Sequence, residues 1–383
     1  MMIERALRAV DGAAPGFLAT LRRWVEINSY TANVEGVNRM GAVLEEDFAS
    51  LGLRFERCAG GDGAGDHLIW RTPAFGPGGV VLVGHHDTVF PPGAFEVFEE
   101  QGDRVRGPGV LDMKGGLLVV RAALAALAEA GGLDAMKVAV ISVADEEVGS
   151  PGSRPILEEL ARGARAALVF EAGRVDDSVV TRRKGTGGLT VTARGVPAHA
   201  GNAHSEGVNA IWALARLIDR MQQLTDYDRG VTVNVGTVKG GEAKNTVPAQ
   251  AECRADFRFV RAPDGLDLIA AVDRAAREIA ADSRASLTII GGVSRPPLER
   301  TDASGELAAL YSERARRHGL GGGESQLVGG GSDANNVSAL GVPAIDGLGP
   351  RGRGFHTPSE YIEPSTLAPR AKALLETLVA LGS

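Results

Sequence analysis

Cysteine is almost missing from this chain: Cys58 and Cys253 are the only two, far apart and outside any metal-type spacing. That argues against a disulfide framework and leaves histidine and carboxylate as the side chains able to hold a metal. Long hydrophobic runs are missing too, since no apolar stretch approaches the roughly 20 residues a membrane helix needs. The start, Met-Met-Ile-Glu-Arg-Ala-Leu-Arg, lacks the apolar segment of a secretory signal. Nor is there an excess of positive charge. The formal charge is −7, which gives a polyanion such as nucleic acid little to grip. A reduced, cytoplasmic protein that works on neither nucleic acid nor membrane is the expectation.

What is present reads as an α/β enzyme. A length of 383 residues is long for one core and suggests two domains. Residues 14–27 and 35–51 carry helical spacing. Val80-Val81-Leu82-Val83, Lys137 to Val143 and Ala166 to Phe170 read as buried strands, with an alanine-rich helix from Gly115 to Ala130 between the first two. Such alternation predicts a mainly parallel sheet covered by helices on both faces.

Near Lys184 the texture changes. Leu189-Thr-Val-Thr-Ala alternates with period two. Helix, strand, strand, helix and strand then follow up to Ile290, giving the βαββαβ order of a ferredoxin-like domain. The expected organisation is a catalytic domain made from residues 1–183 and 294–383, with residues 184–293 inserted as a smaller domain.

Five short stretches carry residues that could bind a metal: Gly-His85-His86-Asp87-Thr-Val, Leu-Asp112-Met-Lys-Gly-Gly, Ala-Asp-Glu146-Glu147-Val-Gly, Phe-Glu171-Ala-Gly and Gly-Phe-His356-Thr-Pro. Most follow a buried strand, and the edge where strands leave an open α/β sheet is where ligands bind. In extended chain, residues two apart share a face. His85 and Asp87 therefore point together, so Asp87 can hold the tautomer of a metal-binding His85. His86 points the other way and stays a rival ligand. Asp112 stands where a helix N-cap is also expected, and Lys-Gly-Gly behind it lets backbone pack closely. Glu146 and Glu147 point apart, so one can bind a metal while the other moves a proton.

Together these motifs resemble the dinuclear zinc aminoacylase/carboxypeptidase family, the M20 metallopeptidases, most nearly its glutamate carboxypeptidase (carboxypeptidase G) branch. Further matches are Ala-His199-Ala-Gly, Asn245-Thr-Val-Pro-Ala, Ala-Asp-Phe-Arg258, the Gly-Gly-Gly-Ser-Asp that contains Gly330, and His356-Thr-Pro-Ser-Glu-Tyr. The resemblance implies two Zn2+ ions per subunit, with Co2+ or Mn2+ as substitutes. His85, Asp112 and Glu171 would hold one ion, and Asp112, Glu147 and His356 the other. Asp87 would orient His85, Glu146 would serve as general base and acid, and a non-proline cis peptide would follow Asp112. The inserted domain would act as lid and homodimer surface, bringing His199 to the partner subunit's scissile carbonyl. Asn245, Arg258 and Gly330 would contact the substrate. The implied reaction is hydrolysis of the amide bond of an N-acyl or peptidyl amino acid with a free carboxylate. Deacylases of the acetylornithine or succinyl-diaminopimelate type and aminoacylases share the motifs. A metal-binding protein of the same fold without catalysis is the reading from outside the enzymes.

Overall fold

A computed structural model describes every residue except Asp62 and Ser383. In chain order, the strands of the two larger α/β sheets are β1 (Arg54–Cys58), β2 (His67–Arg71), β3 (Val80–His85), β4 (Val138–Val143), β5 (Ala166–Val169), β6 (Gly185–Arg194), β7 (Thr232–Gly240), β8 (Gln250–Phe259), β9 (Ser286–Arg295) and β10 (Ala344–Ile345). The helices are α1 (Met2–Ala13), α2 (Phe17–Val25), α3 (Val34–Ala49), α4 (Gly115–Glu129), α5 (Arg154–Ala161), α6 (Ala210–Gln222), α7 (Ala262–Ser283), α8 (Asp302–Arg317), α9 (Asp333–Ser338) and α10 (Leu367–Leu381). The chain divides into two compact units. One comprises Met1–Arg182, Arg300–Val328 and Ser332–Ser383, the other Arg183–Glu299 and Gly329–Gly331.

The larger unit is built on a sheet of order β1-β2-β4-β3-β5-β10. Strands β4, β3, β5 and β10 run parallel. Every residue of β3, β4 and β5 is buried, as continuous apolar runs require when helices cover both faces. The edge pair β1 and β2 is antiparallel and was not anticipated, because β1 (Arg-Phe-Glu-Arg-Cys) is mostly polar. Helix α4 buries Leu117, Leu118, Val119, Val120, Leu124 and Leu127 in a core shared with α1 and α10. The expected helix over 14–27 begins late, at Phe17. Pro15 and Gly16 interrupt the helical run, and an unforeseen α1 precedes them.

Register places the candidate residues. His85 pairs with Val143 across β3 and β4, and Val83 pairs with Val169 across β3 and β5. Three parallel strands therefore end side by side, and the residues just beyond them emerge along one edge of the sheet.

The smaller unit has the order β6-α6-β7-β8-α7-β9. Its sheet, β7-β8-β6-β9, is antiparallel throughout. Burial alternates strictly along β6, and α6 and α7 contribute Leu214, Leu217, Leu268 and Val272 to a separate core that also holds Cys253.

Candidate active site

His85 is the last residue of β3. Its Nε2 lies 3.1 Å from Asp112 Oδ1 and 3.8 Å from Glu171 Oε1. On the other side of the ring, Nδ1 donates to the main-chain oxygen of Asp87 at 2.9 Å, with the Asp87 carboxylate 3.4 Å away. That fixes the proton on Nδ1 and leaves the Nε2 lone pair for the site. His86, one residue on, faces away. Its Nδ1 pairs with Ser142 Oγ at 2.9 Å, and burial holds its pKa down at about 3. It lies outside the cluster, as strand alternation requires.

The segment carrying Asp112 is held from several directions. Gly109 takes a positive φ of 73°, and the Asp112–Met113 peptide is cis. Glycines 115 and 116 open α4, and a Cβ on Gly116 would overlap the Phe170 carbonyl oxygen. This close approach lets the Asp112 segment lie against the end of β5, next to Glu171. The buried carboxylate of Glu360 accepts main-chain amides from Gly109 (3.1 Å), Leu111 (2.8 Å) and Asp112 (3.0 Å). Lys114, also buried, donates to the carbonyls of Trp24 (3.0 Å) and Ile27 (2.9 Å) at the end of α2. The Trp24 carbonyl also accepts the Ile27 amide at 3.3 Å, so Lys114 adds a side-chain donor to the last turn of the helix.

After β4 the chain makes one tight turn. The Asp87 carboxylate accepts the amides of Glu146 and Glu147, each at 3.3 Å, and the Thr31 hydroxyl at 2.8 Å. Asp145 accepts from Gly152 N at 2.7 Å and from Ser153. Ser150, in the left-handed region at φ 58°, donates to Asp333 at the start of α9. The two glutamates thus sit on a turn whose amides are held by Asp87 and by the turn's own Asp145, with Asp333 gripping the Ser150 side chain.

His356 lies in a loop with φ of 62°. Its Nε2 is 3.2 Å from Asp112 Oδ2 and 3.0 Å from Glu147 Oε2. The two oxygens of Asp112 therefore face two different imidazoles. Ligand atoms of His85, Glu146 and Glu171 all lie within 4.8 Å of one another, and so do those of His85, Asp112 and Glu147.

The electrostatics are those of a cation site. Burial, and then the charge of Asp112, push the Glu171 carboxyl well above its ordinary range. Burial raises Glu147 as well, and its Oε1 is buried with no hydrogen-bond partner among the described residues. Burial opposes protonation of His85, yet its bonds to Asp112 and Asp87 outweigh that and raise its pKa. His356, bonded to Asp112 and Glu147, is raised to about 10. Crowded carboxylates that hold protons and imidazoles that hold charge both mark a place for positive charge. The set of imidazole nitrogen and carboxylate oxygen fits a divalent metal of borderline softness.

The remaining sequence-derived residues belong to the smaller unit. His199 is exposed, and the amides of Gly201 and Asn202 both donate to its Nδ1 at 3.1 Å. A neutral His199 therefore carries its proton on Nε2. Asn245 is exposed next to the strand pair formed by Ala198–His199 and Thr246–Val247. Arg258 grips Asp256 through two bonds of 2.8 Å. Gly330 is exposed, and its carbonyl accepts from Arg183 at 3.2 Å. Lys114, Asp333 and Glu360 lie inside motifs that the sequence displays, but their roles, and the pairing of Ser150 with Asp333, do not follow from it. The signal for Glu360 is an acid four residues after His356 in the same loop.

Comparison with known proteins agrees with this geometry. The model of "Peptidase family M20/M25/M40" matches residues 81–380. Carboxypeptidase G2 of a Pseudomonas species is 30% identical, over 98% of this chain and 92% of that protein. Acetylornithine deacetylase of Myxococcus xanthus is 28% identical, over 96% and 97%. The crystal structure of aminopeptidase PepT from Bacillus cereus superposes with a TM-score of 0.81 at 23% identity, covering 97% of this chain and 99% of that one. The chain belongs to peptidase family M20/M25/M40.

Proposed function

We propose that this protein is a dinuclear zinc hydrolase that cleaves the amide bond of an N-acyl or peptidyl amino acid with a free carboxylate, in the manner of a glutamate carboxypeptidase. The carrying observation is Asp112, with Oδ1 on His85 and Oδ2 on His356. His85, Asp112 and Glu171 would hold one ion, and Asp112, Glu147 and His356 the other. Such ions, when bound, acidify water and polarise a carbonyl. Zinc suits the imidazole and carboxylate donors, with Co2+ or Mn2+ as substitutes.

The protein's own residues do the rest. Asp87 keeps the His85 proton on Nδ1 and, through the Glu146 and Glu147 amides, sets where both glutamates stand. Glu146 takes the proton of the attacking water and delivers it to the leaving amine. His199 offers Nε2–H to the oxygen on which charge develops, and it acts from a second subunit. Exposed Ile211, Trp212 and Val238 on α6 and β7 support a homodimer formed through the smaller unit. Asn245, Gly330 and Arg258 bind the substrate, Arg258 exchanging Asp256 for a substrate carboxylate. No described helix is long and apolar enough to cross a membrane, and we place the enzyme in the cytoplasm.

The decisive variant is Glu146→Gln. Two ions should bind as in the parent while hydrolysis of acyl-glutamates all but disappears; substantial remaining turnover would remove Glu146 from its role. For His199, mixing inactive His199→Gln and Glu146→Gln proteins should restore activity in heterodimers. No recovery in a demonstrated heterodimer would place His199 in its own subunit. The likeness to acetylornithine deacetylase favours a second reading, a deacylase of small acyl-amino acids. Acyl-glutamates and acetylornithine compared side by side separate the two.

A further inference from the structure

A cleft of about 580 Å³ opens in the larger unit beside the candidate metal ligands. Its volume falls within the range of small-molecule sites, roughly 300–1,000 Å³. Its walls begin one residue from three of those ligands, with Leu111 before Asp112, Ala172 after Glu171 and Phe355 before His356. Phe355 meets the His356 ring edge-on, with centroids 5.4 Å apart, so the cleft wall and the ligand loop are one piece.

Two features of this wall suit a ligand that is part apolar and part anionic. Phe355 is 43% exposed and Val175 47% exposed, which puts two large apolar side chains in contact with water. The cations Arg174 and Arg353 line the same cleft. Strand pairing with Tyr361 fixes the Arg353 backbone, yet its guanidinium has no acid partner among the described residues. One carboxylate, Asp176, also lines the cleft. Its Oδ1 accepts the amide of Ser178 at 3.0 Å and its hydroxyl at 2.7 Å, and the charge of Arg174 lies near enough to offset its own.

We infer that Arg353 makes this cleft a subsite for an anionic group of the substrate carried on an apolar stem, so that the enzyme selects substrates with a second carboxylate. The inference rests on the amide-hydrolase reading above and adds a substrate class to it. A guanidinium can take a carboxylate through two parallel bonds, while Phe355 and Val175 cover the methylene stem.

Two substrate series test it. In one, the acyl group is glutaryl or its uncharged glutaramoyl counterpart on a fixed amino acid. In the other, the released amino acid is glutamate or glutamine under a fixed acyl group. The parent should prefer the acidic member in at least one series, which also shows which half of the substrate fills the cleft. Arg353→Gln should lower that preference about tenfold or more, through KM rather than kcat. Arg353→Lys should keep part of it, and Arg316→Gln, on the exposed face of α8, should keep all of it. An absent preference in both series, or one that survives Arg353→Gln, overturns the subsite. If no acyl-amino acid is hydrolysed by metal-loaded protein, the amide-hydrolase reading is what fails. Calorimetric binding of glutarate then decides the subsite, with an expected loss of about tenfold in Arg353→Gln and unchanged binding overturning it.

Discussion

The carboxylate of Glu360 accepts the main-chain amide of Asp112 at 3.0 Å, joining the loop that bears His356 to the segment that bears the shared carboxylate. With the amides of Gly109 and Leu111 also pointing at it, Glu360 needs both of its oxygens as acceptors. Glu360→Gln swaps one of them for a donor facing a donor. The Asp112 segment should then loosen while the folded core persists. Metal affinity, measured by chelator competition, should fall by about 10- to 100-fold, the range seen when outer partners of metal ligands are lost. Unchanged affinity in the folded variant would reduce Glu360 to a packing residue.

His356 links metal binding to pH. Its bonds to Asp112 and Glu147 raise its pKa to about 10 without the ion, so at pH 7 the metal-free site holds a proton there. A metal needs the neutral ring. Binding at pH 7 should therefore release protons, and affinity should rise with pH until about 10. For metal-free protein the sign is opposite. The raised pKa stabilises the fold fully below the unfolded value near 6.5, and that stability is lost as pH climbs through about 10. Stabilisation by added Zn2+ should thus grow from pH 6 to 8. Calorimetry in buffers of differing ionisation heat reads the protons directly, and a pH-independent affinity would contradict the assignment.

The strand ends were legible because period-two alternation and buried apolar runs are local patterns. Val-Val-Leu-Val before His85 and Ala-Val-Ile-Ser-Val before Glu146 told where each chain segment leaves the sheet. Alternation also separated His85 from His86. What holds the site was not legible. Glu360 reaches Asp112 across 248 residues, and only the folded chain brings its acceptors to three amides. Asp87 was expected to act on His85 through its carboxylate, but the nearer partner is its main-chain oxygen, which no side-chain pattern reveals. Asp112 also had a local competitor, the N-cap role. In the structure α4 starts at Gly115, with Lys114 before it and no side-chain cap, so Asp112 is free to serve the cluster.

Gly116 sets how closely α4 approaches β5. A Cβ there would overlap the Phe170 carbonyl oxygen and lie 3.0 Å from Met113 Cε. Backbone cannot yield as a flexible side chain does. Gly116→Ala should destabilise the protein by about 1–3 kcal/mol and, by moving Asp112 away from Glu171, weaken metal binding as well. Denaturant unfolding with chelator present measures the first effect, and titration with Zn2+ the second. Full stability in Gly116→Ala would mean that the helix start can shift without cost.

Asp177 ties the chain beyond Glu171 to the C-terminal segments. It is buried at a positive φ of 60° and accepts from Arg351 at 2.6 Å, Arg370 at 3.1 Å and Gly321 N at 2.8 Å. Arg351 has a second acid, Glu363 at 2.9 Å. Arg370 is fully buried and, among the described residues, has Asp177 alone as its acid, with Nε and Nη1 lacking hydrogen-bond partners there. Asp177→Ala therefore strands a buried guanidinium and should cost about 3–5 kcal/mol. Adding Arg370→Met removes that charge and fills its place with an apolar chain, so the double variant should recover a large part of the loss. Denaturant midpoints of the parent, both single variants and the double variant close the cycle. If the two single losses simply add, Arg370 and Asp177 are not coupled, and the ion pair does not hold these segments together.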